Sequence, residues 1–595
     1  MSRLLMLNLG PVQGFIAAAR RTRDLWFGSY LLSEVSKAAA YALHQAGAQL
    51  IFPAPQVSAD LETDSDLNVA NQLLAELPAG DPQAALDQAR AAAETRWRDL
   101  AEFAFAYAAH RAGLVHLRED VWERQRDDVL EFTSAWVTVD ESGYSPALAT
   151  LWRLTAARKN TRNFLPATLT GTQDAPGYGL PKSSLDGLRE TILGEALPAS
   201  VRRRLGLGRG EQLDCPGLVK RLCGGAPERF TPISRIALDP WLRAIIPADR
   251  LNAVNAACET LVGLDWVTRV KGNGGIYDAL PYDGQLLYPS RLATALRECQ
   301  EEEMAERKPA IAALEALRAA VKPLWRDYGE PSPYVALLLA DGDRMGALLD
   351  QAPDAGTHQA ISAQLALFAA AVPGLVRDHH GHCIYSGGDD VLALLPLDQA
   401  LAGARALHDQ FGEELKDIAD VIGAGRPTLS VGIAVQHALE PLGRFRNLAK
   451  DAERLAKGDR LPEAQQRDGL AVIVQTRSGT AVEFREQWSQ QPDRWLQEWM
   501  TLYTQGQLPD KTAYELRRLA DDLAWAPHEL GETKARQLEK AEIQRILARK
   551  QGDTGEAVPA AVQKVLAQQA EALGLPRLAQ GLLIARWLAQ RTAPD

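Results

Sequence analysis

The sequence predicts an α/β (α+β) protein in which sheets carry the site and helical stretches surround them. Three observations predict it. An apolar, turn-bounded run opens the chain at 3–9. Residues 334–475 alternate apolar strand-like runs with amphipathic helical stretches in the order β-α-β-β-α-β, with a further helix and strand. Residues 232–325 and everything beyond Trp488 keep a helical period.

The elements follow in chain order. Residues 3–9 form a buried strand, and Gly10-Pro11 marks the turn after it. A helix starts at Val12 with Phe15, Ile16 and Ala19 on one face, and Arg20, Arg21 and Arg23 follow. Leu31, Leu32, Val35 and Ala39 carry a second helical stripe, and 48–53 form a strand ended by Pro53 and Pro55. Residues 68–134 are expected to be mostly helix, with a strand at Val137–Val139. Residues 160–225 are rich in Gly, Pro and Arg and predict loops. Residues 232–325 predict helices, with a hairpin-like insert near 271–283.

Pro331-Ser332-Pro333 opens the most legible stretch. Tyr334–Ala340 is a continuous apolar strand that stops at Asp341-Gly342-Asp343. A helix spans 357–376. A short strand at Cys383–Ser386 leads through Gly387-Gly388-Asp389-Asp390 into the strand Val391–Leu395. A helix at 398–414, a strand at 428–435, a helix at 443–457 and a last strand at 470–475 complete the order. This is a ferredoxin-like split βαβ unit with an extension. The expected division is 1–230, 231–330, 331–480 and 481–595.

In that topology Asp341 ends a central strand, and Asp389 and Asp390 sit on the hairpin joining its neighbours. Converging carboxylates repel unless a cation lies between them. Mg²⁺ or Mn²⁺ suits such a site, held by one or two carboxylates and phosphate oxygens. Gly387 and Gly388 permit unusual backbone angles and leave room for a nucleotide. Gly-Gly-Asp-Asp alone also suits a plain hairpin turn. Two acidic motifs at strand ends favour the metal site. Lys457 ends the last helix, where it either reaches a triphosphate or caps a solvated helix terminus.

Residues 333–475 resemble the palm shared by GGDEF-type nucleotide cyclases and nucleic-acid polymerases. The combination Pro331–Tyr334, Asp341–Gly346, Tyr385–Asp390 and Thr428–Gly432 is more similar to the large palm subunit of type III-B (Cmr) CRISPR–Cas effector complexes. Gly10–Ile16, Ala19–Trp26 and Gly28-Ser29 look like that family's first palm. The resemblance implies two ferredoxin-like palms with two mostly helical domains. It implies two ATP molecules between the palms and attack of one 3′-hydroxyl on the other's α-phosphate. Cyclic oligoadenylate is the implied product, made when guide RNA pairs with target RNA. It carries metal-ligand roles to Asp341, Asp389 and Asp390, and less directly to Asp343. It carries nucleotide contacts to Ser386, Gly387, Gly388, Gly342 and Lys457. Implied partners are the other effector subunits, guide CRISPR RNA and target RNA.

Two departures modify this. Relatives often carry an HD nuclease domain before the first palm. Here the first strand starts at once, so no DNase activity is expected, and His408-Asp409 is incidental. His379, His380 and His382 are expected in a solvated loop. Relatives often carry two CxxC pairs. Here Ser183, Asp186 and the stretch 210–221 stand in degraded versions, and Cys215 and Cys223 lack the spacing, so zinc is not expected. Some HD-less relatives join ATP to S-adenosylmethionine, which the palm motifs do not distinguish. A silent scaffold binding guide RNA and partner subunits is the remaining alternative.

Composition bounds these readings. The chain has 595 residues, 46% of them hydrophobic, and a net charge of −11. That excludes a disordered chain and makes any nucleic-acid contact a local patch. Arg20, Arg21 and Arg23 serve RNA or ATP, or form a solvated face. Five scattered cysteines point to a reducing compartment, and no run of membrane-span length is evident, so a cytoplasmic protein is expected.

Overall fold

The computed structural model describes residues 2–65, 67–161, 179–195, 197–222, 230–245, 249–270, 277–301, 304–422, 426–477, 479–551 and 557–592. Cys223 and residues 271–276 of the expected 271–283 insert lie outside them.

The first sheet contains β1 (Arg3–Gly10), β2 (Gln49–Phe52), β3 (Gln72–Leu77) and β4 (Glu131–Thr138), in the order β2-β3-β1-β4. All its pairings are antiparallel. That order is the ferredoxin-like one. Alternation along β1 sends Leu5, Leu7 and Leu9 to one core and Leu4 and Met6 to another. The helices Thr22–Gln45 and Pro82–Ala112 cover the first face. The second of these turns a stripe of Ala85, Ala89, Ala93, Trp97, Ala101, Ala104 and Ala108 inward. Tyr144–Asn160 covers the other face through Tyr144, Ala147 and Leu151.

Two expectations fail here. Gln72–Leu77 is a strand within the stretch expected to be helical, and β4 starts at Glu131 rather than Val137. Leu73-Leu74-Ala75 is too short an apolar run for periodicity to decide. Pairing with β1 decides it.

The second sheet contains β5 (Tyr334–Gly342), β6 (His382–Ser386), β7 (Val391–Leu395), β8 (Leu429–His437), β9 (Gly469–Val474) and β10 (Val482–Gln487). Its order is β10-β9-β8-β5-β7-β6. Thus β6-β7-β5-β8 repeats the first sheet's topology. The helix Leu442–Lys457 then crosses over to put β9 parallel to β8. The apolar pattern predicts no strand beyond 470–475. β10 carries no apolar run because half of Val482-Glu483-Phe484-Arg485-Glu486-Gln487 is charged, as suits an edge strand.

Every residue of β8 and β9 is buried, because both faces of this sheet are covered. Ala336, Leu338 and Ala340 share one core with Phe368, Phe411, Trp499 and Leu582. Val335 and Leu337 share the other with Leu238, Leu261, Leu317 and Phe445. The helical stretches on either side of the second sheet in sequence therefore contribute to its two cores. Ala355–Asp378 is long and apolar enough to cross a membrane by composition, and its Ile361, Phe368, Val372 and Val376 are buried in this core.

His382 also departs from expectation. It opens β6 and packs against Phe230 at 4.7 Å and Trp26 at 6.0 Å. Burial pulls its imidazole down to about 4.

Candidate active site

The site is assembled where β5 ends beside the β6–β7 hairpin. Asp341 is the penultimate residue of β5 and is in register with Ser430 of β8. The hairpin is held to β5 by Gly342 N donating to the Asp389 carbonyl at 3.2 Å. It closes on itself through Gly387 N donating to the Asp390 carbonyl at 3.0 Å. A side chain at 342 would meet Asp389 Cβ at 2.7 Å and Phe411 at 2.9 Å, so glycine there lets the hairpin approach. Gly388 has φ +91° with open space above it, a conformation that β-carbons disfavour. The side of Gly387 where a Cβ would stand is filled by the Tyr385 ring.

The three carboxylates interact. Asp389 is pushed up to about 6, first by burial and then by the charge of Asp341. Asp390 is pushed up by burial, then by its hydrogen bond with Asp341 and the charge of Asp389. These are groups short of a positive counter-charge.

One cation is already there. Lys457 Nζ lies 2.5 Å from Asp341 Oδ2 and 2.5 Å from Glu453 Oε1. Burial alone would lower its ammonium, and the bonds to Asp341 and Glu453 outweigh it and raise it. The helix sits low enough because β8 has Gly432, where a Cβ would come within 2.2 Å of the Glu453 nitrogen. Gly458 ends the helix at φ +64°. Glu453 was missed from sequence, although Glu four residues before Lys on a helix is the favourable pairing.

Two expected site residues face elsewhere. Asp343 is buried and accepts from Thr428 Oγ1 at 2.8 Å, Ser430 Oγ at 2.8 Å and Asp468 N at 2.9 Å. Burial raises its carboxyl against these bonds. Its lone pairs are taken by protein donors, so it clamps β5, β8 and the entry to β9 and is not a free ligand. Ser386 is buried and donates to the Ala369 carbonyl at 3.0 Å, so its hydroxyl is engaged within the protein.

Asp341, Asp389 and Asp390 remain as oxygen donors. Among the described residues no three His, Cys, Asp or Glu side chains are arranged to hold an ion by themselves. The donor set fits Mg²⁺ or Mn²⁺ completed by phosphate and water oxygens, and does not fit an all-protein cage.

The other singled-out motifs are accounted for by packing. His408 bonds Asp409 at 3.0 Å and Asp468 at 2.8 Å, beside Trp488. The two degraded CxxC-like loops are joined directly, with Ser183 Oγ donating to Asp214 Oδ1 at 3.1 Å and Ser184 N to the Gln212 carbonyl at 2.8 Å. Cys215 is fully buried, and burial raises its thiol.

Known proteins resemble the chain in sequence and in fold. Residues 334–471 match the family described as Cas10/Cmr2, second palm domain. Residues 4–102 match CRISPR-associated protein Cmr2, N-terminal. The CRISPR system Cmr subunit Cmr2 of Pyrococcus furiosus is 29% identical over 238 residues. That alignment spans 34% of this chain and only 25% of the relative's length. A type III-B Cmr-beta structure in the apo state superposes with a TM-score of 0.58 at 14% identity, covering 94% of this chain and 78% of that one. Cmr-beta bound to cognate target RNA gives 0.55 at 14% identity, covering 91% and 78%. At such identity these structures show a shared fold. The two matched segments, from domains of one family and in the same chain order, cover β1 to β3 of the first sheet and β5 to β8 of the second.

Proposed function

We propose that this chain is the large subunit of a cytoplasmic, RNA-guided type III-B antiviral complex, assembled with other effector subunits, guide CRISPR RNA and target RNA. We further propose that its second sheet carries a nucleotidyltransferase site for ATP. The observation that carries this is the convergence of Asp341, Asp389 and Asp390 at one end of β5, beside Lys457 and the open space over Gly388.

In the proposed reaction the 3′-oxygen of one ATP forms a bond to the α-phosphorus of another. The bond from that phosphorus to the bridging oxygen breaks, pyrophosphate leaves, and the hydroxyl proton passes to solvent. Repetition and ring closure yield cyclic oligoadenylate. Asp341, Asp389 and Asp390 would hold Mg²⁺ or Mn²⁺, which when bound supplies charge neutralisation at the phosphates. Lys457, which bonds Asp341 and Glu453, would offer a point charge to the triphosphate. Gly387 and Gly388 leave the hairpin backbone open to the nucleotide.

The test uses the purified complex with guide RNA, matching target RNA, Mg²⁺ or Mn²⁺, and ATP with or without S-adenosylmethionine, with products identified by mass spectrometry. Cyclic adenylates that disappear in Asp389→Ala/Asp390→Ala support the proposal. An adenylated S-adenosylmethionine conjugate keeps the site and changes its product. No product with target RNA still bound makes the chain a scaffold.

A further inference from the structure

A second region of the molecule has unusual electrostatics. A cavity of about 1100 Å³ lies between the Arg20–Arg23 segment, the stretch 199–209, the region around Trp266 and the start of the Leu442–Lys457 helix. It is separate from the carboxylate cluster. Its second-sheet wall, Ala438 to Phe445, follows the His437 end of β8, which pairs with Tyr334. Asp341 pairs with Ser430, seven residues back along β8. At about 3.3 Å per residue the two ends are about 23 Å apart.

The lining is one-sided. Among the described residues eleven arginines and four carboxylates line it, and no lysine does. This occurs in a chain of net charge −11. Several carboxylates are already taken. Asp265 faces Arg111 at 2.5 Å and Arg204 at 3.6 Å. Asp24, beneath the segment, is taken by Arg221 at 2.7 Å, and its Oδ2 accepts the Arg20 and Arg21 backbone N–H groups. That arrangement pins the segment while leaving its guanidinium groups without a carboxylate. Arg20, Arg21, Arg23 and Arg291 have no ion pair within 4 Å among the described residues. Burial, then Arg221 and Arg23, brings the Arg21 guanidinium down to about 9. Two further donors of the lining, Arg111 Nε and Trp266 Nε1, have no acceptor among the described residues. Such a wall is complementary to an anion.

The lining also indicates which anion. Guanidinium forks match phosphate oxygens two at a time, and lysine would serve if bulk charge were all that mattered. Aromatic faces are interleaved: Arg203 lies 4.6 Å over the Trp266 ring, and Tyr107 and Phe230 share the wall. The volume exceeds that of a typical small-molecule pocket, so it suits a chain of phosphates better than one nucleotide. Positive walls with stacking faces are how single strands are held without sequence preference.

We infer that this cavity seats the sugar–phosphate backbone of a single-stranded RNA segment, at a site distinct from the ATP site. The inference rests on the proposed RNA-guided role and adds the place where the chain itself takes hold of RNA.

The test is binding of a short labelled mixed-sequence single-stranded RNA to the full chain across a salt series. Arg20→Glu/Arg23→Glu/Arg291→Glu should weaken binding by at least thirtyfold. It should also flatten the slope of log affinity against log salt by about 2, from three lost phosphate contacts. The milder Arg20→Gln/Arg23→Gln/Arg291→Gln variant, with an unchanged Tm, should flatten the slope similarly and separate lost contacts from misfolding. Photo-crosslinks should map to the Arg20–Arg23 segment or to the region around Trp266. Equal RNA binding by wild type and both variants overturns the inference. So does a cavity that takes up tripolyphosphate or polyglutamate, with loss in the variants, while RNA binding is unaffected. Asp389→Ala/Asp390→Ala should bind RNA as wild type does. RNA held normally by a complex that makes no product would therefore refute the proposed chemistry and leave this inference standing.

Discussion

The two sheets share one topology and differ in what their loops carry. In the second sheet, a four-residue hairpin from Gly387 to Asp390 joins β6 to β7, and Asp341 stands next to last in β5. In the first sheet, the corresponding strand ends Leu9-Gly10, and β2 and β3 are joined by the long stretch from 53 to 71. No acid stands at the equivalent of Asp341. Buried charge beside the first sheet is instead closed by ion pairing, with Arg221 held between Asp24 and Glu211 at 2.7 Å each and Lys37 on Glu34 at 2.8 Å. One sheet leaves its carboxylates short of a cation, and the other neutralises them from within. The strand order thus supplies the scaffold, and the residues at the strand ends decide whether it can do chemistry.

Four experiments break or sharpen this contrast. The largest effect is expected at the hairpin. Asp389→Asn/Asp390→Asn should cut product formation from ATP by about a thousandfold or more. The Tm at pH 7 should hold or rise, because the substitution removes buried like charges. Product formation near wild-type level would show that the two sheets do not differ in chemistry.

Next is the first sheet's closed pair. Arg221→Met leaves Asp24 buried without its partner and should cost about 3–5 kcal/mol in thermal or denaturant unfolding. The same pair has a pH signature. Burial works to raise the Asp24 carboxyl, and Arg221 overrides it and holds it down to about 2. Its folded value is below its unfolded one, so its stabilisation is present above about pH 4 and is lost as pH falls toward 2. Arg221→Met should remove that acid limb, and an unchanged acid transition would contradict the pairing.

A smaller effect is expected from Gly342→Ala. The added methyl meets Asp389 Cβ at 2.7 Å and Met345 at 2.8 Å, so the hairpin must shift from β5. Activity should fall by about tenfold to a hundredfold with a stability loss of about 1–3 kcal/mol. Gly10→Ala on the first sheet has 3.7 Å to its nearest neighbour and should be nearly silent.

The smallest effect tests the contact between the sheets. His382, against Trp26 and Phe230, is held neutral by burial down to about 4. The unfolded chain takes up a proton there first, near pH 6.5, so stability falls as pH drops from there toward 4, by about 1–2 kcal/mol at pH 5. His382→Phe should flatten that slope, and a slope identical to wild type would place the titrating group elsewhere.

The second sheet was legible because its strands are buried on both faces and read as continuous apolar runs, Tyr334–Ala340 and Val391–Leu395 among them. The first sheet was less so. Gln72–Leu77 looked helical, since a short Leu-Leu-Ala run suits either period, and β10 hid among charges. In the site, Asp341, Asp389 and Asp390 followed from motif and strand order. Ser386 and Asp343 belong to the same motifs but turn inward: Ser386 bonds the Ala369 carbonyl, and Asp343, just past the end of β5, is held by Thr428 and Ser430. The bond from Ser386 to Ala369 depends on a helix seventeen residues upstream.

By itself, then, the sequence determined the second sheet's strand order, the glycines that its hairpin needs and the acids at its strand ends. These depend on local pattern: apolar runs, turn residues and their spacing. Tertiary structure alone decided that Lys457 meets Asp341, that Asp343 is a clamp, that β3 and β10 are strands, and that arginines far apart in the chain face one cavity. Those outcomes depend on which groups are desolvated together, and burial is a property of the packed chain that no local stretch of residues carries.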